Sequence, residues 1–148
     1  MDAVQISKGI RTIPITNEDG EITATLRVNT ADASIIGRYY DAIDRLSGMD
    51  AEMSAGKAEI DKQNLSKEEW TIKMSTLRVG IIKSVINELN SIFGVNAIET
   101  VFSDCIAINP DFIPEEYQLV EFLDNITPIM QELFKAHNQS MRKKYGVK

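Results

Sequence analysis

The sequence predicts a mainly helical α+β fold: a small N-terminal β-hairpin followed by a helical bundle of about four helices. Alternating apolar and polar residues in the first 30 positions indicate two strands, whereas apolar residues three and four positions apart over 66–145 indicate two long amphipathic helices. The 148 residues are 43% hydrophobic and 26% charged, which suffices for one domain with a core. We expect the hairpin over 1–29 and a helical domain over 30–148, together forming one compact unit.

The hairpin prediction depends on a period of two. Ile13 and Ile15 alternate with polar neighbours, and the Asp-Gly pair that ends the polar segment 17–20 suits a tight turn. Pro14 has no N–H to donate, so its strand should lie at a sheet edge. The alternation assigns three residues of the return strand to one face: Ile22, Leu26 and Val28. Because a lone hairpin is marginal in water, it must pack on a helix or join a neighbouring subunit.

The first helix is predicted to begin near Thr30 or Asp32, either of which can cap it, and to end at Ser47 and Gly48. Its apolar residues recur at helical spacing: Ile35, Tyr39, Ile43 and Leu46, with Ile36 and Tyr40 widening the stripe. The following residues, 49–65, are polar and only weakly periodic. We interpret them as a short helix or a mobile link.

A long central helix is predicted to begin after Ser66, which forms a capping-box pattern with Glu69. Its apolar stripe is spaced by threes and fours: Trp70, Met74, Leu77, Ile81, Val85, Leu89 and Ile92. Gly94 lies where a helix terminator belongs. Asn96 is predicted to cap a short third helix.

The last helix is predicted to begin at the Pro-Glu-Glu segment 114–116, because proline is tolerated in a first turn and acids favour the N-terminal dipole. Its apolar side is predicted to contain eight residues: Tyr117, Val120, Leu123, Ile126, Met130, Leu133, Phe134 and Met141. Pro128 lies inside this helix and should kink it, since proline cannot donate the helical hydrogen bond.

Composition excludes several classes of function. The net charge of -6 disfavours nucleic-acid binding, which requires clustered cations to neutralise phosphates. A single cysteine excludes an internal disulfide and fits a reducing compartment. The first residues lack the apolar core of a signal peptide, and no apolar run approaches the roughly 20 residues of a membrane span. We therefore expect a cytoplasmic protein that does not bind membranes.

The sequence contains little that is suited to catalysis. His137 and Cys105 are the only residues of their types, whereas a nucleophile needs a base and zinc needs three or four ligands. Four acids suggest a cation site but lack calcium-loop spacing: Asp104, Asp111, Glu115 and Glu116. We predict no enzymatic activity, no catalytic residues, no metal and no cofactor. An enzyme would have to depend on those four acids.

Amphipathic helices without reactive groups are typical of proteins that bind other proteins. After Glu132 the chain has only basic charges, which indicates either ordinary cation enrichment at a helix end or docking on an acidic partner. Surplus apolar surface also predicts a homo-oligomer. The candidate partner-binding residues are Trp70, Met74, Leu77, Ile81, Phe93, Phe102, Phe134, Met141, Arg142, Lys143 and Lys144.

The order of these elements resembles the tail assembly chaperones of tailed bacteriophages and prophages of Gram-positive bacteria. Three segments carry the resemblance: Ile-Phe-Gly at 92–94, Ala-Ile-Glu-Thr-Val-Phe at 97–102, and Met-Arg-Lys-Lys-Tyr-Gly at 141–146. The resemblance implies a non-enzymatic protein of the bacterial cytoplasm that is absent from the mature virion. It also implies two partners: a tape measure protein, which such chaperones bind and keep soluble, and the tail tube protein that polymerises around it.

Two other classes of function stay open at this stage. One is a structural tail component that is retained in the virion, a class that normally contains far more strand. The other is a small regulatory protein that acts as a helical dimer.

Overall fold

The computed structural model describes residues 2–145, and for Met141, Lys144 and Tyr145 it describes the backbone alone. The chain is 65% helical, and the predicted mainly α fold with an N-terminal hairpin is confirmed. The described residues form six helices and not the four predicted, because 49–61 is helical and two short helices occur where one short third helix was expected. In chain order the elements are β1 (Ile10–Thr16), β2 (Ile22–Asn29), α1 (Ile35–Ser47), α2 (Met49–Asp61), α3 (Lys67–Phe93), α4 (Ala97–Val101), α5 (Ser103–Ile108) and α6 (Glu116–Tyr145).

The turn between β1 and β2 is fixed by Asn17. Its side-chain Oδ1 accepts hydrogen bonds from the backbone N–H of Asp19 at 2.9 Å and of Glu21 at 3.0 Å. Gly20 has a φ of 80°, a left-handed conformation that glycine adopts without steric cost. The predicted Asp-Gly turn is therefore confirmed.

The hairpin packs one face on the helices, and three residues on that face are buried: Ile13, Leu26 and Val28. The predicted inward orientation of Ile22 is wrong, since its side chain is 67% exposed. The register explains why: Ile15 lies opposite Ala24 but Thr16 lies opposite Ile22, which leaves Thr23 as an extra residue in β2. A bulge of this kind reverses the alternation beyond it.

Neither predicted cap of α1 forms a side-chain cap. Thr30 is buried, and its hydroxyl donates to the carbonyl of Gly9 at 2.7 Å. The Asp32 carboxylate instead accepts hydrogen bonds from the N–H and the hydroxyl of Ser34, which lower the pKa of Asp32, and it pairs with Arg38 at 2.6 Å. These bonds shape the turn that leads into the helix.

The segment interpreted as a helix or a link is helix α2. It lies against the first half of α3, and a Cβ built at Gly56 would lie 2.5 Å from Cδ2 of Leu77, so the glycine permits a close approach. The predicted cap of α3 is confirmed: the hydroxyl of Ser66 accepts the N–H of Glu69 at 3.2 Å.

The turn after α3 differs from the prediction. Gly94 has a φ of 109° and ends the helix as expected, but the side chain of Asn96 makes no cap bond. Asn90 takes that role from within α3. Its Oδ1 accepts the N–H of Ile98 at 2.8 Å, and its Nδ2 donates to Glu99 at 2.9 Å.

Helix α6 begins within the predicted segment and continues through Pro128. Its buried face is rotated from the predicted one, because Leu119 and Phe122 are buried whereas Tyr117 is 65% and Val120 is 38% exposed. The spacing 119, 122, 123, 126 and 130 satisfies the helical period as well as the predicted set does. Periodicity alone did not distinguish the two faces.

Aromatic edges meet where α1, α3 and α6 pack together. The ring of Tyr39 contacts Phe93 and Phe134 edge-on, with centroids 6.3 and 6.2 Å apart. Phe93 contacts Phe122 in the same manner at 5.5 Å. Edge-to-face pairs of this kind add to the stabilisation that burial provides.

Candidate partner-binding groove

A groove of about 760 Å³ lies between β1 and its turn, helices α4 and α5, and the first half of α6. One row of α6 side chains, four residues apart, runs along it: Tyr117, Glu121, Asn125 and Ile129. This row spans about 18 Å at a rise of about 1.5 Å per residue. The groove is therefore long enough for about three turns of a partner helix.

The floor of the groove is apolar and partly open to solvent. Phe122 and Ile126 lie at its base and are buried, whereas Tyr117 and Ile129 at its ends are 65% and 45% exposed. Ile15 closes the opposite side from β1. Large exposed apolar residues that line one concavity are typical of a surface that binds another molecule.

The rim of the groove is acidic. Its lining includes Glu18 and Asp19 from the hairpin turn, Asp104 from α5 and Glu121 from α6, with no Lys or Arg. In the part of the chain that the structure describes, none of these four carboxylates takes part in an ion pair. The groove thus presents negative charge around an apolar floor, and we call it the acidic groove.

Phe102 belongs to two hollows. It lines the acidic groove and also a smaller hollow of about 250 Å³, which is formed with Ile86, Ile106 and Ile113. Its ring packs on Phe112 with centroids 5.8 Å apart. Of the predicted partner-binding residues, Phe102 is the one whose position best fits that role.

The other predicted partner-binding residues are dispersed. Trp70, Met74 and Leu77 are half-buried on the α2–α3 pair, where the Trp70 indole N–H donates to Asp61 at 2.7 Å and lowers the pKa of that carboxyl. Three more of the predicted residues lie in the core instead, on the buried faces of α3 and α6: Ile81, Phe93 and Phe134. Arg142 and Lys143 are exposed, and the Met141 and Lys144 side chains lie outside the described part.

The four acids considered as a cation site do not converge. In the described range, no three His, Cys, Asp or Glu side chains are placed to share a metal ion. Glu115 pairs with Arg78 at 3.4 Å, and the pKa of Glu116 is raised by burial and by neighbouring Asp50. These contacts explain Glu115 and Glu116 as parts of the junction between α2, α3 and α6, whereas Asp104 lies in α5 and lines the acidic groove.

Cys105 lines the acidic groove and is half-buried. Its burial and the charge of Asp104 raise the pKa of the thiol. The thiolate is the reactive form of cysteine, so this environment disfavours nucleophilic chemistry at neutral pH.

Comparison with known proteins gives no relative: no family model, no curated protein and no solved structure matches the chain. Within residues 2–145, none of the helices has both the length and the apolar composition that crossing a bilayer requires. Two features therefore bear on function: the acidic groove and the resemblance in the sequence to phage tail assembly chaperones.

Proposed function

We propose that this chain is an assembly chaperone that holds an amphipathic helical segment of a larger protein in its acidic groove, without catalysis. The observation that carries the proposal is that two exposed apolar side chains of α6, Tyr117 and Ile129, line a concavity together with the buried Phe122 and Ile126. Helices that bind in grooves place apolar anchors at intervals of three and four residues. The apolar residues of α6 that line the groove include Phe122, Ile126 and Ile129, which are spaced by four and three.

The resemblance to phage tail assembly chaperones supports a specific form of this function. The partner is then a tape measure protein, a long helical protein with apolar stripes, and the complex assists the tail tube protein to polymerise around it. This work takes place in the cytoplasm of the bacterial host. The chaperone leaves before the virion is complete.

Co-expression tests the proposal. A tape measure protein is expressed alone, with the wild-type chain, or with the variant Tyr117→Asp/Ile129→Asp. We expect the wild type to bring most of the partner into the soluble fraction and the variant to bring at least fivefold less, because charges then replace the exposed apolar side chains of the groove.

The matched control is Ile72→Asp/Val95→Asp, which changes two apolar residues that are 66% and 93% exposed outside the groove. We expect this control to behave as the wild type. The proposal fails if the wild-type chain does not solubilise the partner. The groove loses its role if both double variants solubilise it equally.

The retained structural component stays an alternative, and purified particles separate it from the chaperone. Mass spectrometry of mature virions should detect the tube protein without this chain. A stoichiometric signal from the chain would favour the structural role.

A further inference from the structure

Charge is strongly segregated along the second half of the sequence. Between Lys83 and Lys135 the chain has no Lys or Arg but nine acids: Glu88, Glu99, Asp104, Asp111, Glu115, Glu116, Glu121, Asp124 and Glu132. After Glu132 it has no acids but five cations: Lys135, Arg142, Lys143, Lys144 and Lys148. Two of the nine acids, Asp104 and Glu121, lie on the rim of the acidic groove.

The basic end of α6 extends beyond the core. Among the α6 side chains that the structure describes, Phe134 is the last buried one. Seven residues of 135–143 are exposed: Lys135, Ala136, Asn138, Gln139, Ser140, Arg142 and Lys143. A helical segment of this length is marginal without packing, since short helices depend on tertiary contacts for stability. A surface that covers it would therefore stabilise it.

The acidic groove of the same molecule is out of reach for this segment. The groove ends at Ile129, and α6 is continuous to Tyr145. A rise of about 1.5 Å per residue places Arg142 about 20 Å beyond Ile129 along the helix axis. Only a second molecule can bring a basic helix end to the groove.

We propose that the acidic groove receives the basic end of α6, residues 135–145, from a second copy of this chain. Arg142 and Lys143 lie along the rim that Glu18, Asp19, Asp104 and Glu121 form. The contact joins two different surfaces, so it builds rings or chains of molecules, or a dimer that exchanges both ends.

This self-association goes beyond the proposed function and bears on it. A partner helix and the basic end of a neighbouring molecule occupy the same groove, so the partner must displace the neighbour. The acidic groove is therefore occupied by the α6 end of another copy of the chain until the partner protein is synthesised. Ion pairs at a rim are individually weak and are screened by salt, which makes the contact exchangeable.

Sedimentation equilibrium of the full chain tests the proposal at 50 and 500 mM salt. We expect species of two or more copies at low salt and at least tenfold weaker association at high salt. Arg142→Glu/Lys143→Glu should weaken low-salt association at least tenfold. The control Lys62→Glu/Lys67→Glu makes the same change in net charge at exposed residues outside the groove and should associate as the wild type.

Reversal of the rim provides the complementary arm. Glu18→Lys/Glu121→Lys should not self-associate, but it should associate when mixed with Arg142→Glu/Lys143→Glu, because an acidic helix end then meets a basic rim. A monomeric wild type overturns the proposal. So does association that both tail and rim variants retain.

The single cysteine allows a direct measurement that does not depend on charge. Ser140→Cys should form an intermolecular disulfide with Cys105 under mild oxidation at alkaline pH, and Ser140→Cys/Cys105→Ser should not. Ser75→Cys, at an exposed position on α3, is the matched control and should stay uncrosslinked. The proposed contact is contradicted if Ser140→Cys/Cys105→Ser still forms the crosslink. It is also contradicted if Ser140→Cys, which retains Cys105, forms no crosslink.

These results separate the two proposals. A chain that is monomeric yet solubilises its partner retains the proposed function and excludes the self-association. A chain that associates as described but does not solubilise its partner supports the self-association and excludes the proposed chaperone function.

Discussion

Gly9 joins the start of the hairpin to the start of the helical domain. Its φ is 72°, and its carbonyl accepts the backbone N–H of Thr30 at 2.9 Å and the Thr30 hydroxyl at 2.7 Å. A Cβ at this position would lie 2.5 Å from Cβ of Ala31 and 2.8 Å from its backbone nitrogen. Both the backbone conformation and the available space therefore require glycine.

Gly9→Ala should lower the free energy of unfolding by about 1–3 kcal/mol, since the left-handed backbone and the overlap each add to the cost. Urea denaturation followed by circular dichroism measures the change. The control is Gly37→Ala in α1, where a Cβ meets nothing within 4 Å and helix propensity predicts a gain of about 0.5–1 kcal/mol. Equal stability of the two variants would contradict this account of Gly9.

Single residues also show where sequence patterns stop being informative. The local spacing predicts Asn96 as the cap of α4. The structure uses Asn90, because the reversal of the chain at Gly94 brings the C-terminal end of α3 beside the first turn of α4. A cap supplied from another element depends on tertiary geometry, which local spacing does not contain.

At the scale of elements, most boundaries follow from local chemistry. The Asp-Gly turn, the Ser66 cap and the Gly94 terminator all lie where the sequence predicted them. The inward faces were harder to predict: the bulge at Thr23 reversed Ile22, and α6 offered two apolar stripes of similar quality. The pattern therefore places Tyr117 on the apolar side of α6, whereas the structure places it in the lining of the acidic groove.

Pro128 interrupts the backbone hydrogen bonding of α6. It removes one helical hydrogen bond to the carbonyl of Asp124, while the neighbouring Thr127 hydroxyl donates to the carbonyl of Leu123 at 2.6 Å. The proline itself is exposed. Its packing therefore offers little to offset the lost bond.

Pro128→Ala should raise the free energy of unfolding by about 1–3 kcal/mol, up to the intrinsic cost of proline inside a helix. Thermal and urea unfolding of the two chains give the difference. Gln131→Ala, one turn further along on the exposed side, should change stability by only a few tenths of a kcal/mol. A loss of stability in Pro128→Ala would mean that the predicted kink is needed to seat Met130 and Phe134.

The acidic groove exists only at the scale of the whole molecule. Its walls come from the hairpin turn, from α4 and α5, and from α6, and the turn and the far end of this lining are more than 100 positions apart in the sequence. The sequence indicated Phe102 and a basic end on an acidic chain. It did not indicate Ile15, Glu121 or Ile129, because nothing local shows that these residues face one another.

Tyr39 connects the helices that support this groove. It is fully buried, its ring contacts Phe93 on α3 and Phe134 on α6, and its hydroxyl shares a hydrogen bond with the hydroxyl of Thr127. Burial raises the pKa of Tyr39 above its ordinary value of 10.0. The folded state therefore favours the neutral phenol.

The sign of the pH effect follows from that raised pKa. Below about pH 10 the full contribution of Tyr39 to the free energy of unfolding is present. This contribution declines as the pH rises from the pKa of Tyr39 in the unfolded chain through its higher pKa in the folded chain, because the unfolded chain loses the proton first. Tyr39→Phe should lose about 0.5–1.5 kcal/mol at pH 7.5, the usual contribution of a buried hydrogen bond. Urea unfolding at pH 7.5 and 10.5 should show that the difference in free energy of unfolding between the wild type and Tyr39→Phe is smaller at the higher pH. The control is Tyr40→Phe, at a 42% exposed position, which should match the wild type at both pH values. A gap that stays constant would show that the Tyr39 phenol does not contribute to stability through its protonation.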